Sequence, residues 1–180
     1  MIEQALATIA ITLLVAIAAV LLARPVLRRL PEPAGGDDKP LYRELGSTPF
    51  LVSCGVLAGV ATTLSWLSLP PYAQPPWSVL AILGVLLAAI DARTSWLPLR
   101  LTQAAWLAMI VASLLAAVLG DDVAIALRAA AGAAIAGGLY LLVWLISRGS
   151  FGFGDVRFAP LLGARSEEHT SELQSHGLIS

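Results

Sequence analysis

The sequence predicts an all-α protein, a polytopic bundle of transmembrane helices with about five full spans and the start of a sixth. Three observations carry this. The 180 residues are 58% hydrophobic and 13% charged, where soluble domains carry about 25% charged residues. Five apolar runs, roughly 5–23, 50–69, 77–90, 103–119 and 123–147, approach span length, and a span needs ~20 apolar residues to cross ~30 Å of hydrocarbon. Lys and Arg recur in every second connection. Within lipid such runs are helical, because only a helix satisfies its own backbone groups.

The first run lacks the basic flank of a signal peptide, since Glu3 is the only charge before it, and it is read as a retained helix. Arg24, Arg28, Arg29, Lys39 and Arg43 follow it in the 24–49 loop, whose 31–40 stretch is flexible by composition. The second run carries Gly55 and Gly59 spaced for close helix packing. The Pro-rich turn 70–76 has no Lys or Arg. The third run, 77–90, would rise only ~21 Å as a helix, so its helix is expected to continue past Asp91. Arg93 and Arg100 mark the 91–102 loop, and Asp121 and Asp122 the turn before the fifth run. That last run has a small face at Ala133, Ala134, Gly137 and Gly138, and Arg148 and Arg157 come after it. Positive-inside asymmetry then puts the N-terminus outside and loops 24–49, 91–102 and 148 onward in the cytoplasm. Arg128 is discordant and is expected to snorkel outward.

Residues 165–176 read RSEEHTSELQSH. The string resembles the in-frame translation of a common sequencing-library adapter, so 165–180 is read as a non-native tail and set aside. The remaining 1–164 form one membrane-embedded domain with 10 basic and 9 acidic residues, which gives no basic excess for nucleic acid. Asp155–Ala164 looks like the start of a sixth helix, but ten residues rise only ~15 Å, so the natural C-terminal end is expected to be missing.

Composition also limits the chemistry. One cysteine, Cys54, allows no intrachain disulfide and no Cys-based zinc site. The two histidines, His169 and His176, lie in the tail. Serine and cysteine triads and His-Glu-x-x-His zinc proteases are thereby removed, and acid–base work falls to Asp, Glu, Lys or Tyr.

Two aspartates stand apart. Asp91 directly follows an apolar run, at or just below the expected cytoplasmic surface, where an ionisable group is costly. Asp155 follows Gly152-Phe153-Gly154 on the same expected face. The two glycines permit unusual backbone angles and close approach of a substrate strand. Two close carboxylates share a proton, so one can activate water while the other donates to the peptide. Which does which is not assignable, because such a pair titrates as a unit. Taken singly, Asp155 also fits a helix N-cap and Asp91 an interfacial charge beside Arg93.

Gly152-Phe153-Gly154-Asp155 resembles the signature of GxGD aspartyl proteases. Asp91 through Thr102, with Pro98 in a Leu-Pro pair and then Leu101-Thr102, resembles the first catalytic loop of type IV prepilin peptidases, and Asp155-Val156-Arg157-Phe158 resembles their second motif with Arg157 in the place of Lys. The resemblance covers roughly 77–164. The Tyr-Asp and Pro-Ala-Leu motifs of presenilin-like relatives are not seen.

This resemblance implies a membrane aspartyl endopeptidase of the inner membrane. Its substrate would be a pilin-like or pseudopilin precursor, cut after a glycine at the cytoplasmic face. Asp91 and Asp155 would be catalytic, supported by Gly152, Gly154, Arg157 and Pro98, with no metal and no cofactor. The paired cysteines of the family's S-adenosylmethionine-dependent methyltransferase domain are not present in the short 24–49 loop, so no methylation is expected. Two other readings stay open at this point. One is a small ion- or proton-coupled transporter and the other a non-catalytic membrane scaffold.

The orientation has a direct check. Alkaline phosphatase fused within 70–76 or at Asp121–Asp122 is expected to be active, and fused within 24–49 or 91–102 inactive; the reverse pattern overturns the assigned topology.

Overall fold

The computed structural model describes residues 2–32, 40–148 and 152–164. The tail 165–180 with both histidines, Lys39, and most of the 31–40 stretch lie outside the described residues. All elements among those described are helical. They are α1 (Ile2–Arg29), a 3-10 turn (Tyr42–Gly46), α2 (Thr48–Ser68), a 3-10 turn (Pro71–Ala73), α3 (Gln74–Val79), a π turn (Leu80–Gly84), α4 (Val85–Thr94), α5 (Leu99–Leu119), α6 (Val123–Ile146) and α7 (Phe153–Gly163). Five stretches are long and apolar enough to cross a membrane: Leu6–Arg29, Thr48–Ser68, Pro71–Thr94, Leu99–Leu119 and Val123–Ile146.

The helices run further than the apolar composition. α1 continues through Pro25 to Arg28 and Arg29, so the basic cluster caps a helix rather than populating a loop. Cations in a last turn complement the helix dipole. Pro75 and Pro76 fall in the first turn of α3, where a missing N–H removes no intrahelical bond; the Pro-rich turn is therefore partly helical. The helix does continue past Asp91, to Thr94. The expected 91–102 loop shrinks to residues 95–98, because α5 begins at Leu99.

The chain divides into two compact units, 1–108 and 109–180, with the division inside α5. In the first, α1 packs along α2. The Gly55 and Gly59 spacing serves this contact. A Cβ on Gly55 would lie 2.6 Å from a Val20 methyl and 3.2 Å from the Ala16 carbonyl oxygen. The Thr12 and Thr63 hydroxyls hydrogen bond across the pair at 3.0 Å. Val15, Ala19, Ala58 and Ala81 form a small-residue core where the π turn joins the two helices. Gln74 closes the α2–α3 connection, its buried amide donating to the carbonyls of Ser65 (3.1 Å) and Leu69 (3.2 Å). It thereby satisfies groups that a helix C-terminus leaves open.

In the second unit, α7 lies along α6. The small face differs from the one expected. Gly132, Ala136 and Gly137 meet α7, with Gly137 against Pro160 and Gly163 against the Gly132 carbonyl and the Ala136 methyl, whereas Ala134 and Gly138 are exposed. Asp122 caps α6 by accepting from the Ala124 N–H at 2.8 Å. Arg128 turns back to Asp122 at 3.0 Å, towards the start of α6.

Packing at α6–α7 predicts unequal responses to alanine. Gly163→Ala is expected to destabilise by about 1–3 kcal/mol, the usual range for overpacking, because backbone blocks its new methyl. Gly138→Ala, with nothing within 4 Å, is expected to be neutral or stabilising by up to ~1 kcal/mol. Thermal unfolding in detergent measures both, and equal midpoints would contradict the packing.

Candidate active site

Asp91 sits one turn from the end of α4, half-buried beside a fully packed face of Leu86, Leu87, Ile90 and Thr94. The helix ends there by a specific set of bonds. Ser95 adopts a left-handed conformation at φ 54°, and its N–H donates to the Asp91 carbonyl at 2.6 Å. The Thr94 hydroxyl donates to the Ile90 carbonyl at 2.9 Å and lies 3.2 Å from the Trp96 N–H, which it accepts. Pro98 is buried, and its carbonyl accepts from both the N–H (3.0 Å) and the hydroxyl (3.1 Å) of Thr102. Pro98 thus ends the short linker and starts α5.

Asp155 lies in the first turn of α7, half-buried, with Gly152 as N-cap. Its carboxylate is placed where the helix dipole favours negative charge. Gly152 has φ −62° and ψ 126°, angles open to any residue, and Gly154 is within the helix. Unusual backbone angles are therefore not why glycine stands at 152. A Cβ there would lie 3.3 Å from Asp155 Oδ2, so the missing side chain leaves room for the carboxylate. Arg157 stacks its guanidinium 4.6 Å from the Phe153 ring centroid, within cation–π range. Phe153 in turn meets Trp144 of α6 edge to face at 5.2 Å. Asp91 and Pro98 belong to the first unit, and Gly152, Gly154, Asp155 and Arg157 to the second.

Residues 78–169 match the type IV leader peptidase family, just over half of the chain and enclosing both aspartates. The chain belongs to the type IV leader peptidase family. No curated protein and no solved structure is matched. Five apolar spans together with this family make it an integral membrane protein.

A neighbour of Asp91 in this leader peptidase escaped the sequence reading. Tyr42, 3% exposed, comes from the 3-10 turn that packs on α1, α2 and α4. Its hydroxyl donates to the Trp96 carbonyl at 3.4 Å. Burial pushes its pKa above 10, and the carboxylates of Glu32 and then Asp91 add to the rise. Glu32 also anchors the turn, accepting from the N–H groups of Tyr42 (2.9 Å) and Arg43 (3.2 Å). The sequence signal was a lone tyrosine in a loop rich in proline, glycine and charge.

The bonds at the end of α4 predict the effect of losing one. Thr94→Val keeps the shape but removes the buried hydroxyl, and is expected to cost about 0.5–1.5 kcal/mol. Thermal unfolding in detergent reads this, and an unchanged midpoint would mean the hydroxyl does not hold the turn.

Proposed function

We propose that this leader peptidase is an aspartyl endopeptidase that removes the leader of type IV prepilin-like proteins at the cytoplasmic face of the inner membrane. Asp91 and Asp155 form its catalytic pair. The observation that carries the reading is that the family match takes in both aspartates, each half-buried at the end of a helix.

The chemistry follows from carboxylate properties. Two carboxyl groups close together cannot both ionise easily, so they hold one proton between them. The ionised partner takes a proton from water as it attacks the scissile carbonyl carbon. The protonated partner donates to the carbonyl oxygen, and the departing amine then gains a proton as the C–N bond breaks. Assignment of the two roles belongs to the pair rather than to either residue. Gly152 leaves room for the Asp155 carboxylate, and Arg157, braced on Phe153, offers a cation for the substrate carbonyl or a carboxylate. The substrate presents a short basic leader ending in glycine before an apolar helix, and that helix lies in the bilayer while the leader reaches the aqueous face.

The test is cleavage of a synthetic prepilin by the full-length gene product in lipid vesicles. Asp91→Asn and Asp155→Asn are each expected to lower the rate by about 10²–10⁴-fold, the scale of general acid–base catalysis. Wild-type cleavage by either variant rejects the pair.

A further inference from the structure

We propose that Tyr42 is a positioning residue for Asp91, delivered by the Glu32-anchored turn Tyr42–Gly46 to hold the linker that ends α4. This deepens the reading above and rests on Asp91 being catalytic.

Asp91 occupies the part of a helix that is least secure. The last four carbonyls of a helix have no intrahelical partner, and terminal turns fray. Here the terminal turn is followed by only four residues, 95–98, before α5. Three of the bonds that hold this end are local, among Ile90, Asp91, Thr94, Ser95 and Trp96. The Tyr42 hydroxyl is different, because it reaches the Trp96 carbonyl from 54 residues away in sequence. It ties the end of α4 to the connection between α1 and α2.

The turn that carries Tyr42 is itself built to stay in place. The two oxygens of Glu32 hold consecutive N–H groups of the turn, and the Glu44 carboxylate accepts from the Leu41 N–H at 3.2 Å. Leu45, one turn on, is 5% exposed. A loop that served only to join two spans would need none of these.

The phenol also suits its neighbour. Burial and two carboxylates keep it protonated at any working pH, so it remains a neutral donor beside Asp91. Small displacements of a catalytic group are expensive, since ~1 Å of misplacement can cost 10²-fold in rate.

A purely structural role would show as lost stability, and a positioning role as lost turnover. Tyr42→Phe keeps the ring and its packing and removes the hydroxyl. In the full-length protein in lipid vesicles, it is expected to lower kcat roughly 5- to 50-fold, with KM within about twofold and the unfolding midpoint lowered no more than in Thr94→Val. 4-Aminophenylalanine incorporated at position 42 restores a donor at the same place and is expected to recover most of the lost kcat. Wild-type kcat in Tyr42→Phe, alongside loss of cleavage in Asp91→Asn, overturns this inference and leaves the aspartate pair standing. Wild-type cleavage in Asp91→Asn removes the pair and this inference together. A fall in kcat that tracks a lower unfolding midpoint and is not recovered by 4-aminophenylalanine assigns Tyr42 to packing alone and also overturns it.

Discussion

Hydrocarbon offers no hydrogen bonds, and that constraint organises the whole chain. Each backbone N–H and C=O within the bilayer must be paired inside its own helix, so the helices run past the apolar residues until a cap or polar side chain takes over. Gln74 does this after α2 and Asp122 before α6. The same constraint confines carboxylates to helix ends. Asp91 lies in the final turns of α4 and Asp155 in the first turn of α7. Both sit half-buried at a helix end, where a carboxylate can still reach water.

Close packing in lipid must come from shape, because apolar burial gives no preference for another helix over a lipid tail. Glycine and alanine supply that shape twice. Gly55 and Gly59 admit α1, and Gly132, Ala136 and Gly137 admit α7. The second contact bears on the proposed function, since α7 carries Asp155. Pro160 and Gly163 fix α7 against α6, while Phe153 wedges on Trp144 at the other end. A helix of 11 residues is thus held at both ends by its neighbour, and its first turn can present a carboxylate in a defined direction.

The spans were legible because hydropathy reports which residues tolerate lipid, and length does the rest. Their ends were less legible. Hydropathy falls at Arg24 and at Asp91, but the backbone stays helical to Arg29 and Thr94, since long charged side chains reach water without unwinding the helix. Pro75 and Pro76 read as turn residues, although the first turn of a helix accepts them. The α6 face was misread by one register step, because composition shows which residues are small but not which way the helix is turned. The candidates Asp91 and Asp155 stand in local motifs that a sequence displays. Tyr42 does not, because its meaning lies in a contact across 54 positions that no local pattern encodes.

The choice of a phenol at that contact fits the chemistry proposed for the pair. A lysine or arginine buried beside Asp91 would also hold the helix end, and more strongly, but a cation favours the ionised carboxylate. A carboxylate pinned in its charged form cannot share a proton with a partner. A carboxylate in the phenol's place would add a further negative charge to the proposed pair and force protons onto the site by repulsion. Tyr42 donates to the backbone carbonyl of Trp96, so in the proposed role it constrains where Asp91 sits without adding a charge beside it. On the proposed reading, this is what lets a helix end in an apolar environment carry an acid that must be ionised at one step and neutral at the next.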